Sequence, residues 1–143
     1  MIAYADTGFL VSLYGEDDKS PEATALIQTR PVFLLTSFGE LEFANAIELR
    51  VFRRQWTRQE ARSVNHTFSE HQAAGYFRKQ ELTTELWDRA LALSRRHSAS
   101  LGTRTLDLLH VAAALTAKTE VFYTFDARQS ELARGEHLRV LPV

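Results

Sequence analysis

The 143 residues, 45% of them hydrophobic, suffice for one globular domain with a full core. Seventeen basic and 18 acidic side chains give a formal charge of −1, so no global basic field marks a nucleic-acid binder and only a local basic rim stays open. The absence of cysteine excludes disulfides and thiolate metal sites. The longest apolar run, Leu106 to Ala117, contains His110 and falls short of the ~20 residues of a membrane span. The N-terminus, with Asp6 in it, lacks the pattern of a signal peptide, so a cytoplasmic protein without a membrane partner is expected.

Along the chain, Ile2-Ala3-Tyr4-Ala5 is a short apolar strand ending at Asp6, followed by the apolar segment Phe9 to Tyr14 and an acidic turn, Gly15 to Lys19. A helix restarts with Ser20 as N-cap and Pro21 in the first turn, where its missing N–H costs nothing. Val32-Phe33-Leu34-Leu35 is a short buried strand. A helix follows from about Ser37 to Arg54, then another after Thr57, whose Thr57-Arg58-Gln59-Glu60 is a capping box. Thr83 or Thr84 caps a helix running to about His97. Gly102 and Thr103 break the chain before the helix carrying Asp107. The run Val121 to Phe125 is a strand leading into Asp126, which starts the last helix, and Arg139-Val140-Leu141 closes as a strand. Strands alternating with helices predict an α/β fold with a mostly parallel central sheet covered on both faces, in a single domain, 1–143.

Four carboxylates far apart in this sequence stand out: Asp6, Glu42, Asp107 and Asp126. Asp6 and Asp126 emerge at the carboxyl ends of strands, the edge where open α/β sheets bind ligands. Asp107 opens a very apolar helix, where an unpaired charge is costly. At ~100° per residue, Phe38, Ala46 and Leu49 fall near Glu42, which puts Glu42 in the middle of a buried stripe. Glu40 projects roughly opposite and completes a capping box with Ser37.

Gathered at one sheet edge, such carboxylates repel one another unless protonated or neutralised by a cation. Oxygen ligands favour Mg²⁺ or Mn²⁺, ions suited to phosphodiester hydrolysis by an activated water. Each residue also has a structural explanation. Asp6 and Asp126 can cap helices, Asp126 together with Gln129. Asp107 can be a first-turn acid on the helix dipole, and Glu42 can be buried against Arg53 or another arginine. His110, one turn after Asp107, reads as a hydrogen-bonded core histidine, because no second histidine has ligand spacing.

The segments Tyr4-Ala5-Asp6-Thr7-Gly8-Phe9-Leu10-Val11, Glu42-Phe43-Ala44-Asn45-Ala46, Arg104-Thr105-Leu106-Asp107-Leu108-Leu109-His110-Val111-Ala112 and Thr124-Phe125-Asp126-Ala127-Arg128-Gln129 together resemble the PIN-domain family, and within it the VapC-type toxins of type II toxin–antitoxin pairs. They occur in family order and span nearly the whole chain. The resemblance implies a three-layer α/β/α fold, Mg²⁺- or Mn²⁺-dependent endoribonuclease activity, a homodimer, and inhibition by a cognate antitoxin. Asp6, Glu42, Asp107 and Asp126 match the family's acidic quartet, as catalytic and metal-holding residues. Thr7, Thr105 and Thr124 fall where the family often carries hydroxyls, and Asn45 and Arg128 are candidates for contacts to the substrate or around the metal ligands. Gly8 stands where serine is frequent. A structured RNA such as tRNA is the family-level substrate.

The alternative is a catalytically silent PIN-like module that binds RNA or an antitoxin. A receiver domain requires paired acids directly after the first strand and a lysine after a late one, whereas Asp17-Asp18 lies well beyond the first strand and Thr124-Phe125-Asp126 offers no lysine. A dehalogenase-type phosphatase requires a second aspartate where Gly8 stands.

Overall fold

The structure, a computed structural model, describes residues 1–142; Val143, the end of the expected domain, lies outside the described residues. Five strands, β1 (Ile2–Ala5), β2 (Val32–Leu35), β3 (Phe77–Lys79), β4 (Val121–Tyr123) and β5 (Val140–Leu141), form one sheet in the order β3-β2-β1-β4-β5. Every pairing is parallel.

The strands are short apolar runs because both faces of the sheet are covered. Side chains alternate between two cores. Ala3, Ala5, Phe33, Leu35, Val121 and Tyr123 face one of them, with Phe9, Phe43, Ile47 and Phe68. Tyr4, Leu34, Phe122 and Val140 face the other, with Leu86, Leu93, Val111 and Leu132. The first core is closed by α1 (Thr7–Tyr14), α2 (Ser20–Leu26), α3 (Ser37–Phe52) and α4 (Arg58–Ala73). The second is closed by α5 (Thr84–Leu93), α7 (Thr105–Thr116) and α8 (Ala127–Gly135). These are the three layers that the sequence predicts.

Several local expectations change. The N-cap of α3 is Thr36, whose hydroxyl accepts from the Gly39 N–H at 3.0 Å, and not Ser37. Two hydroxyl residues stand side by side, and the extended backbone needed for capping falls on the first. Glu40, freed from the expected capping box, pairs with Lys79 at the end of β3. In α2 the cap position is Lys19; the Ser20 hydroxyl instead donates to the Ser12 carbonyl at 2.6 Å and accepts from the Asp17 N–H, closing the acidic turn. The helix expected to run from a cap at Thr83 or Thr84 to about His97 is capped by Thr83 and widens after Leu93 into a π-helical turn, Ser94–Ser98, before a last short turn, α6 (Ala99–Leu101). The capping box of Thr57 and Glu60 is present.

Gly15 ends α1 where there is no room for a side chain. A Cβ there would stand 2.2 Å from the buried Trp56 ring and 3.0 Å from the Val11 carbonyl oxygen. Gly15→Ala is therefore expected to cost about 1–3 kcal/mol, the usual range for overpacking, read as a lower urea midpoint. An unchanged midpoint would mean that the Trp56 ring swings aside freely.

Candidate active site

In the strand order, β1 lies between β2 and β4, and the chain leaves β1 toward β2 on one side while β4 closes the other. That is a topological switch point, and its carboxyl edge is where a doubly wound sheet opens a crevice. Asp6 follows β1, and Thr124 and Asp126 follow β4, so register alone brings them together. Three helices, α1, α3 and α8, also begin here, directly after β1, β2 and β4. Their N-termini direct unpaired N–H groups and positive dipole ends to the same edge.

Asp6 is buried. Its Oδ1 accepts from the Phe9 N–H at 2.9 Å, capping α1, and its Oδ2 accepts from the Thr124 hydroxyl. Thr124 in turn accepts from the Asp126 N–H at 3.0 Å, and Asp126 Oδ1 caps α8 by accepting from the Gln129 N–H at 2.8 Å. Both carboxylates cap their helices, but the Gln129 side chain does not close the expected box, since the Asp126 N–H is taken by Thr124, which joins the two caps. Burial pushes the Asp6 carboxyl above the usual carboxylate range, with the Asp126 charge adding to the rise, against the opposing pull of Thr124, His110 and the Phe9 N–H.

Glu42 is half-buried. The most buried line of α3 runs one residue further round the helix than the sequence count places it, through Gly39, Phe43 and Ile47, and Leu49 is exposed. The partner of Glu42 is neither Arg53 nor any other arginine. Its Oε1 accepts from the Thr7 hydroxyl at 2.9 Å and lies 2.5 Å from His110 Nε2. Burial works to raise the Glu42 carboxyl, but the bond and charge of His110, together with Thr7, outweigh it and hold the group below its ordinary value. His110 is a buried, hydrogen-bonded histidine, as its sequence context suggests, yet it is bonded to a member of the quartet. Its Nδ1 lies 2.7 Å from the Tyr4 hydroxyl, and its ring packs edge-on to Tyr4 and Phe38.

Asp107 is less enclosed than its apolar helix suggests. It is half-buried in the first turn of α7, where its Oδ2 accepts from the Arg104 N–H at 3.2 Å. It lines an open polar cleft with Asp126, Arg104, Arg128 and Glu131. Arg128 donates to the Gly102 carbonyl at 3.1 Å across that cleft. Thr105 and Asn45 are exposed and make no side-chain hydrogen bond among the described residues. The edge thus holds two linked groups, Asp6-Thr124-Asp126 and Thr7-Glu42-His110-Tyr4, with Asp107 facing Asp126 in the cleft. The donor set, carboxylates and hydroxyls without sulfur, has the chemistry of a hard-cation site. Among the described residues, however, no three His, Asp or Glu side chains come close enough together to hold a metal ion.

Residues 3–135 match the PIN domain family, and the chain belongs to it. No curated protein matches the sequence. Among solved structures, the fold is similar to that of VapBC2 from Rickettsia felis bound to a promoter DNA fragment, with TM-score 0.66 and 14% identity over 98% of this chain and 97% of that one. It is also similar to VapC20 of Mycobacterium tuberculosis, a sarcin–ricin loop cleaving toxin, with TM-score 0.68 and 19% identity over 90% and 93%. FitAcB from Neisseria gonorrhoeae gives TM-score 0.69 and 15% identity over 98% and 96%. At these identities the likeness is one of fold.

Proposed function

We propose that this PIN-domain protein is a metal-dependent endoribonuclease toxin, held in check by a cognate antitoxin and acting in the cytoplasm as a homodimer on a structured RNA such as tRNA. The observation that carries the reading is the buried Asp6 carboxylate at the β1/β4 switch point, linked through Thr124 to Asp126. A carboxylate kept in such a place without a lysine or arginine partner is poorly explained by stability, because burying it costs free energy that neutral donors only partly offset. Family membership and the toxin structures that share the fold support the same conclusion.

Asp6, Glu42, Asp107 and Asp126 would hold Mg²⁺ or Mn²⁺, with the Thr7, Thr105 and Thr124 hydroxyls nearby. When bound, such an ion supplies an activated water and neutralises charge on the phosphoryl oxygens. The rest falls to the chain itself. Thr124 keeps Asp6 oriented, Thr7 and His110 fix Glu42, and Arg104 and Arg128 on the cleft rim meet substrate phosphates. The helix N-termini at this edge favour the same anionic backbone. Hydrolysis on this scheme leaves 5′-phosphate and 3′-hydroxyl ends.

A second reading, a catalytically silent module that binds RNA or antitoxin, draws support from the failure of three acidic side chains to converge among the described residues. Asp107→Ala separates the two. On the nuclease reading it abolishes Mn²⁺-dependent RNA cleavage while circular dichroism shows a folded protein. Wild-type cleavage rates in that variant would remove Asp107 from the site, and absence of cleavage by the folded parent under either metal would favour the binding module.

A further inference from the structure

The Glu42 carboxylate is held in an asymmetric way. Both of its bonds, from the Thr7 hydroxyl at 2.9 Å and with His110 Nε2 at 2.5 Å, fall on Oε1, and Oε2 takes part in neither. An ionised carboxylate only accepts, so the proton between Glu42 and His110 sits on Nε2. The other imidazole nitrogen faces the Tyr4 hydroxyl at 2.7 Å. The phenol of Tyr4 stays protonated in its buried setting, and a hydroxyl can donate to a bare Nδ1 or accept from a protonated one, so the bond holds the ring in either state. The imidazole cannot turn away from this arrangement, since Tyr4 and Phe38 pack edge-on against it with ring centroids at 5.6 and 5.0 Å. Tyr4 is itself fixed by its stack on Phe122.

We propose that His110, locked by Tyr4, is a positioning residue that occupies Oε1 of Glu42 and so leaves Oε2 as the one oxygen presented to the cation site. The inference rests on the metal-dependent reading above and adds to it the lock by Tyr4 and the choice of oxygen. His110 touches neither the ion nor the RNA. It decides which oxygen Glu42 offers, and at what angle, in the way that partners of ligating groups orient them and set metal affinity.

The test is Mn²⁺ affinity, measured by titration calorimetry on folded, RNA-free protein, in His110→Asn, His110→Gln and Tyr4→Phe. The glutamine amide reaches the place of Nε2 and keeps the donor, whereas the asparagine amide stops near Nδ1. His110→Asn is expected to bind Mn²⁺ roughly 10–100-fold more weakly, His110→Gln to recover most of that loss, and Tyr4→Phe to fall between Asn and the parent. Equal affinity in all four proteins, or equal loss in Asn and Gln, would overturn the positioning role. If the histidine variants do not fold, Tyr4→Phe decides alone: weakened binding supports the role and parental affinity overturns it. Absence of Mn²⁺ binding by the parent protein is a different result, which removes the metal reading itself.

Discussion

Asp6→Asn is expected to abolish RNA cleavage and, in metal-free protein at neutral pH, to raise the denaturant midpoint. The two effects have one cause. Burial, with the Asp126 charge in the same direction, lifts the Asp6 carboxyl above the usual carboxylate range. In the unfolded chain the group ionises near pH ~3.9. The folded protein therefore retains this proton to higher pH than the unfolded chain does, and the contribution of Asp6 to stability falls as pH rises from the unfolded value through the folded one. An amide does not ionise and escapes that loss. Asn also keeps the Oδ1 acceptor for the Phe9 N–H, and its amide can donate to Thr124, which has lone pairs to receive it. The stability gain should be present at pH 7 and disappear below about pH 3, where the wild-type carboxyl is protonated in both states. Urea melts across that range check it. A midpoint that falls at pH 7 would mean that the ionised Asp6 is a net stabiliser. Asp6→Ala is a weaker version of the test, because it also removes the cap of α1, at a cost of about 1 kcal/mol.

The second large effect is expected at Phe122. It is fully buried on the interior strand β4, in the core closed by α7 and α8, and its ring stacks on Tyr4 at 5.5 Å with the two planes nearly parallel. Phe122→Ala should cost about 3–5 kcal/mol, a large share of the ~5–15 kcal/mol that holds a domain together. The loss is not confined to the core. Tyr4 would lose the surface that fixes its ring, and the Tyr4 hydroxyl is the group that holds His110 against Glu42. Chemical denaturation of Phe122→Ala and Phe122→Leu measures the core term. A cost below that of an ordinary surface substitution would show that the second core collapses around the cavity.

Much of this arrangement is legible in the sequence because it is local. The apolar runs Ile2–Ala5 and Val32–Leu35 are each a buried strand, and of the expected run Val121 to Phe125 the strand takes Val121–Tyr123. Asp6 directly follows the first of these strands and Asp126 follows the third after Thr124 and Phe125, so their place at the sheet edge follows from the chain itself. The strand β3 is not legible: only Phe77 of Phe77–Lys79 is buried, and a three-residue edge strand with two exposed basic side chains shows neither alternation nor an apolar run. The π-helical turn at Ser94–Ser98 has no marker in Ser-Arg-Arg-His-Ser. Glu42 illustrates the other limit. A helical count shows that it needs a companion, but that companion, His110, lies 68 residues away on α7 and is brought near only by the packing of helices on the sheet. Asp6 and Asp126 are linked at one edge of the sheet and Asp107 lines a cleft with Asp126, whereas the sequence could not show that Glu42 is engaged by histidine and Asp107 by its own helix turn.

The most direct test of the central claim is cleavage of a small-RNA pool by antitoxin-free protein with Mg²⁺, with Mn²⁺ and with EDTA, run beside Asp6→Ala. A metal-dependent nuclease gives discrete fragments with 5′-phosphate ends, which EDTA suppresses and the variant does not produce. Fragments that persist in EDTA or in Asp6→Ala, or a folded parent protein that leaves the pool intact with either metal, would contradict it.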